Sequence, residues 1–196
     1  MRLRNLLPSA LVLFAALNAQ AADVILKPFV LASKGAGTVA EKTEQTRTAL
    51  TGAGFSVVGS YSPYADAQIL IVTSDELKKN AAASENGGYG AVQRVAITKA
   101  SNEVQVSYTN PVYMANVYRM KGELSGTTAA LGTALGSIEE FGAKGMTAAQ
   151  ARKYHYMVGM EYFDEPSLLA EYGSYEEAVK AVDAKLSNNK NGVTKV

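Results

Sequence analysis

The chain has 196 residues, with 19 Lys and Arg against 18 Asp and Glu and a net charge of +1. That balance offers no electrostatic footprint for nucleic acid or for an anionic membrane surface. There is no cysteine and a single histidine, which excludes thiol catalysis, disulfides, thiolate metal sites and c-type haem attachment together.

The first 21 residues read as a secretory signal peptide. Arg2 and Arg4 make a basic start, Ala10 to Leu17 is an apolar run too short to span a bilayer, and Ala19-Gln20-Ala21 is a small-x-small cleavage site. The competing reading is a retained N-terminal anchor. Lipoprotein attachment is excluded because no cysteine follows the apolar run. The expected mature chain starts at Ala22 and is a soluble protein of the periplasm or exterior. Losing Arg2 and Arg4 leaves it with a slight acidic excess, and no later stretch is apolar enough for a membrane span. Its size suits one domain over 22–187, followed by a polar tail over 188–196.

Val24 to Leu31 is a β-prone run and predicts the first strand, with Pro28 arguing for a sheet edge or a bulge. Ser33 to Gly37 should turn the chain into a helix, which a Thr38/Glu41 capping box starts. Val39, Thr43, Thr46 and Leu50 form its inner face, and Gly52 with Gly54 ends it. The glycine-rich turn fits only a loose G-x-G-x-x-A phosphate-loop pattern and lacks an acidic ribose partner, so the start of a helix is the better reading. Phe55 to Tyr61 predicts a second strand, Ser62 to Asp66 a turn, and Gln68 to Val72 a central third strand. Thr73 with Glu76 reads as a second capping box, for a helix reaching about Ala83. Glu85 to Gly90 breaks the pattern. Val92 to Thr98 and Val104 to Tyr108 then form an antiparallel pair across Lys99 to Asn102. The strand ends at Asn110-Pro111, and Pro111 suits the first turn of a helix. On that helix Tyr113, Val117 and Met120 share a face, with Met114 and Tyr118 beside them.

The order β-α-β-β-α-β-β followed by a helix predicts an α+β fold with helices on one face of a mainly antiparallel sheet. The segment 121–153 is rich in Gly, Ala and Thr. It should hold short helices, started by Ser137/Glu140 and Thr147/Gln150 boxes, as a packed arm or a mobile lid. Over 154–186 the alternation from Tyr154 to Phe163 predicts a strand, ended by Asp164-Glu165-Pro166. A last helix begins at Ser174 with Glu177, and its inner face is Tyr175, Ala178, Val179, Val182 and Leu186.

Four stretches carry a resemblance: Leu50-Thr51-Gly52-Ala53-Gly54-Phe55-Ser56-Val57-Val58, Ile69-Leu70-Ile71-Val72, the helix after Ser74, and Val106-Ser107-Tyr108-Thr109-Asn110-Pro111. Together the span 38–120 resembles the domain-of-unknown-function 302 family. The resemblance implies a compact β-α-β-β-α-β-β arrangement with a closing helix, akin to the curved sheet of the TATA-binding protein. It implies no established activity. The chain has Thr73-Ser74 where many members carry Cys or Pro, so any role of such a cysteine is absent, and the segment after Met120 lies beyond the usual family core.

Two constellations are candidates for chemistry. Tyr108, Asn110, Tyr113, Tyr118 and Arg119 converge on Pro111, where strand end and helix start meet. Phenolic donors, a cation and helix N–H groups there suit a small ligand, and the plainer reading is an N-cap with packed tyrosines. His155 with Met157 on one strand face is a soft-ligand pair of the kind that holds copper or haem iron, against a reading as ordinary core residues. No G-x-S-x-G elbow is present, and the acidic pairs Glu139-Glu140, Asp164-Glu165 and Glu176-Glu177 read as solvated termini. The function expected is a non-enzymatic periplasmic or secreted binding or accessory domain for a small molecule or a periplasmic protein. The alternatives are a copper- or haem-binding protein using His155 with methionine, or a hydrolase of unrecognised type. An uncovered strand edge would allow a homo-oligomer.

Overall fold

The computed structural model describes residues 24–188, 192–193 and 195–196; the expected signal peptide over 1–21 and part of the polar tail lie outside the described residues. The fold is α+β. Strands β1 (Phe29–Gly35), β2 (Ser56–Tyr61), β3 (Ala67–Thr73), β4 (Gln93–Ala100), β5 (Glu103–Thr109) and β6 (Glu139–Phe141) make one antiparallel sheet in the order β2-β3-β4-β5-β1-β6. Residues 74–92, with a helix over Asp75–Ala83, carry the chain from β3 to β4, and the hairpins β2–β3 and β4–β5 follow from period-2 patterning joined by short turns. Asp66 and Ser101 take left-handed backbone in those turns, where short polar side chains tolerate it.

Helix α1 (Val39–Gly52) carries the chain from β1 to the far edge. It starts at the predicted capping box: Thr38 Oγ1 accepts from Glu41 N–H at 3.2 Å, and the Glu41 carboxylate accepts from Thr38 N–H at 2.9 Å. Such a cap contributes about 1 kcal/mol. Burying Leu50 alone contributes about 2 kcal/mol, so packing of Thr43, Thr46 and Leu50 is what holds α1 down. Helices α2 (Asp75–Ala83), α3 (Pro111–Val117) and α4 (Ser125–Leu135) join it. Their Leu77, Ala115 and Leu131 meet Val30, Leu70, Val72, Val95, Ile97, Val104, Val106 and Tyr108, the inward-pointing set of the sheet. All of this core lies on one side of the sheet.

Several expectations need correcting. The first strand begins after Pro28 and runs through Gly35, so the expected Ser33–Gly37 turn is partly strand. Its bulge falls near Ala32, where Leu31 pairs with Ser107 and Ser33 with Val106. The cap of α2 is Ser74, not Thr73. The Thr73 hydroxyl donates to Ala91 O at 2.7 Å instead, and Glu76 accepts from Thr127 Oγ1. Ser137 and Glu140 start no helix. Gly136 turns the chain at a φ of +97°, its Cα so close to Ala32 O that a β-carbon would stand 2.5 Å away. Ile138 N–H then bonds Leu31 O, and the next three residues add to β1 as β6. The Thr147/Gln150 box does start a helix, the short α5 (Ala148–Ala151).

Tyr154 to Phe163 is not a strand. Gly159 sits at a φ of +85° within a turn closed by Met160 N–H to Met157 O. Alternating side chains do not make a strand without an edge to pair with, and it is β6, not this segment, that pairs with β1 at Phe29 to Leu31. The last helix, α6 (Tyr175–Ser187), forms with its Ser174 cap. Its expected inner face is not inside: Tyr175 is 78% exposed and Val179 and Val182 nearly half exposed.

Asn110 is buried at the junction of β1, β5 and α3, with both ends of its amide engaged. Replacing Asn110 with Ala should cost about 2 kcal/mol in urea unfolding, about 1 from the cap and about 1 from the lost bond to Lys27. A loss near zero would show that neither contact contributes.

Candidate functional site

At the Pro111 corner the structure brings the expected residues close in the fold and bonds the side chains of Tyr108, Asn110 and Arg119 to protein. Asn110 Oδ1 accepts from Tyr113 N–H at 3.5 Å, its Nδ2 donates to Lys27 O at 3.0 Å, and its backbone N–H donates to Pro28 O at 2.9 Å. Tyr108 points into the core and donates to Gly136 O at 3.3 Å. Tyr113 is half-buried, and Tyr118 stacks on Tyr89 with ring centroids 5.8 Å apart. The plainer reading of Asn110 as an N-cap describes its Oδ1 contact, and the bonds to Lys27 and Pro28 add a structural tie to the start of β1.

Helix α3 stops by a C-terminal turn that the sequence does not advertise. Arg119 adopts left-handed backbone at a φ of +49°, Arg119 N–H bonds Asn116 O, and Met120 N–H bonds Ala115 O. This is the pattern usually closed by glycine. It aims Arg119 at the segment after α5. There Nε lies 2.8 Å from Asp164 Oδ1 and 3.1 Å from Oδ2, Nη2 lies 3.5 Å from Glu165, and the guanidinium sits 3.8 Å over the Tyr162 ring. The carboxylate beside it raises the pKa of Arg119 further, mainly through that hydrogen bond. Asp164 is buried, so removing Arg119 would strand a carboxylate out of water. Arg119 is thus a clamp for the 154–165 segment, and its cationic face is committed.

His155 belongs to the same clamp. Its ring lies 3.9 Å from that of Tyr162, and Nδ1 contacts the Met160 carbonyl. With no strand here, His155 and Met157 do not share a sheet face, and Met157 is 62% exposed. Among the described residues no group of three or more His, Cys, Asp or Glu stands close enough to hold a metal ion.

A different surface was missed. Among the described residues no layer covers the side of the sheet facing away from the helices. On it Phe29 and Phe141 pair across β1 and β6 with centroids 5.7 Å apart, next to Ile69 of β3, Ala96 of β4 and Met114 of α3. These line a cleft of about 470 Å³, within the range of small-molecule sites. Its polar groups are few. The Thr109 hydroxyl is taken, donating to Gln93 Oε1 and accepting from Arg94 N–H. Ser107 and the Arg94 guanidinium remain, and the ion pairs among the described residues do not include Arg94. The signal for this cleft was present in β3, where Ala67, Ile69 and Ile71 make the open side apolar as well as the packed one, as in strands with two demanding faces. In β5 the same side is polar, with Glu103, Gln105, Ser107 and Thr109.

Burial pushes the phenol pKa of Tyr108 up, only partly offset by a hydrogen bond from Ser137, and burial followed by Tyr154 does the same for Tyr113. In the unfolded chain these phenols ionise near pH 10. Above that pH the folded state holds more protons, so stability is fully present below about pH 10 and is lost as pH rises from there through the raised values. Denaturant midpoints should be level to about pH 10 and then drop, and the drop should be shallower in Tyr108→Phe; an identical slope in that variant would contradict the assignment. Against known proteins, no family model matches this chain and no curated relative is found.

Proposed function

We propose that the chain is an exported, non-enzymatic binding domain of the domain-of-unknown-function 302 kind, and that it takes its ligand on the open face of the sheet. The export reading rests on the Arg2/Arg4 start, the apolar run and Ala19-Gln20-Ala21. The family reading, with its TATA-binding-protein-like sheet, rests on the quoted stretches and on the β-α-β-β-α-β-β order with its closing helix.

The observation that carries the binding role is the cleft between Phe29, Phe141, Ile69, Ala96 and Met114, with Arg94 at its border. An antiparallel sheet often leaves one face to water, and that face is then polar. Here Phe29, Phe141, Ile69, Ile71 and Ala96 set an apolar patch among the polar residues of that face, which favours an occupant with an apolar body. Arg94 adds a fixed positive charge with a fork of donors for an acidic head group. The ligand class is a small amphipathic acid, such as a medium-chain or aromatic carboxylate. This replaces the Pro111 corner as the binding site, because Asn110, Tyr108 and Arg119 are already bonded within the protein.

Calorimetric titration with a medium-chain fatty carboxylate and with the alcohol of equal chain length tests this reading. The carboxylate should bind about tenfold more tightly, and Arg94→Gln should abolish the preference while keeping the weaker apolar term. Equal affinity for the two ligands in the unaltered protein, or binding of neither, would refute it. For the export reading, N-terminal sequencing of protein recovered from the cell envelope should begin at Ala22, and an intact Met1 in the membrane fraction would count against it.

A further inference from the structure

Among the described residues two apolar surfaces of this chain lack a covering layer, and they match one another. One is the open sheet face, where Ile69, Ile71 and Ala96 continue the Phe29–Phe141 patch across β3 and β4. The other is the stripe Tyr175, Val179, Val182 and Leu186 on α6, which borders a shallow groove lined by α6 alone. A helix of 13 residues is about 20 Å long. Six strands span about 24 Å between the outer two. One helix laid across the strands therefore spans most of the width of the face, as a band about 10 Å wide.

The end of the same segment already touches that face. Val196 lies over Gly59, so close that a β-carbon on Gly59 would come within 3.0 Å of its methyl group and 3.6 Å of Ile71 Cδ1. Gly59 and Ile71 are cross-strand partners and so share the open side. The tail also folds back on α6, because Lys195 pairs with Asp183. At its other end α6 is tethered by the nine residues between the clamped Asp164 and the cap Ser174, a reach of about 30 Å when extended. Charge agrees as well. Glu176 and Asp183 flank the stripe on one side at helical spacing, and Arg94 is the cation bordering the cleft.

We propose that α6 is a lid, which swings about the 165–173 tether and closes its Tyr175/Val179/Val182/Leu186 stripe over the open sheet face of its own chain. In the structure the stripe is uncovered, and Val196, beyond the end of α6, rests on the face. The inference shares a surface with the ligand reading without depending on it: an occupied cleft competes with the lid, and an empty cleft is shielded from water by it.

The absence of cysteine makes the test clean. In the full-length protein, Ala96→Cys is combined with Val182→Cys on the stripe, or with Glu177→Cys on the opposite side of α6 as control. Under mild oxidation the stripe pair should form an intrachain disulfide at least about tenfold faster than the control, since the tether keeps the effective concentration high. Intact mass and non-reducing gels read the product. Equal rates from both sides, no disulfide, or a disulfide only between two chains would overturn the proposal, the last because it means exchange of α6 between copies. A second variant, Val179→Asp with Val182→Asp, alters residues that are exposed in the open arrangement and so leaves the core intact. It should raise fluorescence of a bound anilinonaphthalene sulfonate probe severalfold, and unchanged fluorescence would overturn the lid. The disulfide is read without ligand, so its failure leaves the Arg94 titration standing, and the failure of that titration leaves the disulfide result standing.

Discussion

Asn110 ties three parts of the chain together. Its amide nitrogen reaches back to Lys27 across 83 positions of sequence, its backbone N–H holds the Pro28 carbonyl, and its side-chain oxygen caps α3. A long loop is closed by those bonds, and each unmade bond at a buried site would cost more than a made one contributes. The junction fixes where β1 begins relative to β5. Because side chains in a strand alternate, a slip of one residue there would turn Val30 outward and Phe29 inward. The separation of the sheet into a packed side and an open side therefore depends on a small polar knot at one corner.

That separation has an asymmetric cost. The helical side is filled by leucines and valines that are almost wholly buried. The other side carries apolar residues with no layer above them among the described residues, against the usual solution in which each apolar face is buried by another element. The long segment from α5 to α6 is held to the protein by Arg152 on the Met120 carbonyl at its start and by Arg119 on Asp164 and Tyr162 further along. A charge-assisted pair with a buried carboxylate suits this, since it holds a segment in place with little apolar area. The same arrangement leaves α6, further along the chain, free of the core.

Legibility followed the reach of the interactions. The β2–β3 and β4–β5 hairpins, α1 with its capping box and the Asn110-Pro111 turn were readable, because local periodicity and caps set them. Where the reading failed, a distant partner decided. Ser137 to Phe141 has a helix-start pattern, but the free edge of β1 recruits it as β6. Tyr154 to Phe163 alternates like a strand, but it finds Arg119 rather than a sheet. Arg119 ends a helix without glycine because its side chain is needed on that side of the chain. Of the residues singled out for a site, Asn110 was placed correctly as a cap, while the cleft arises from six segments, β1, β3, β4, β5, α3 and β6, spread from Phe29 to Phe141, and had no local motif.

The sheet's two ends are treated differently from its faces. At one end β2 carries a register break between Val57 and Gly59, which throws Val58 outward and kinks the strand. At the other, β6 is three residues long and presents Glu139 and Glu140. A kinked edge and a short acidic one are both poor templates for a further strand. Cross-β stacking and strand exchange are thereby discouraged in a chain with no disulfide to lock it, and self-association, where it occurs, has to proceed face to face rather than edge to edge.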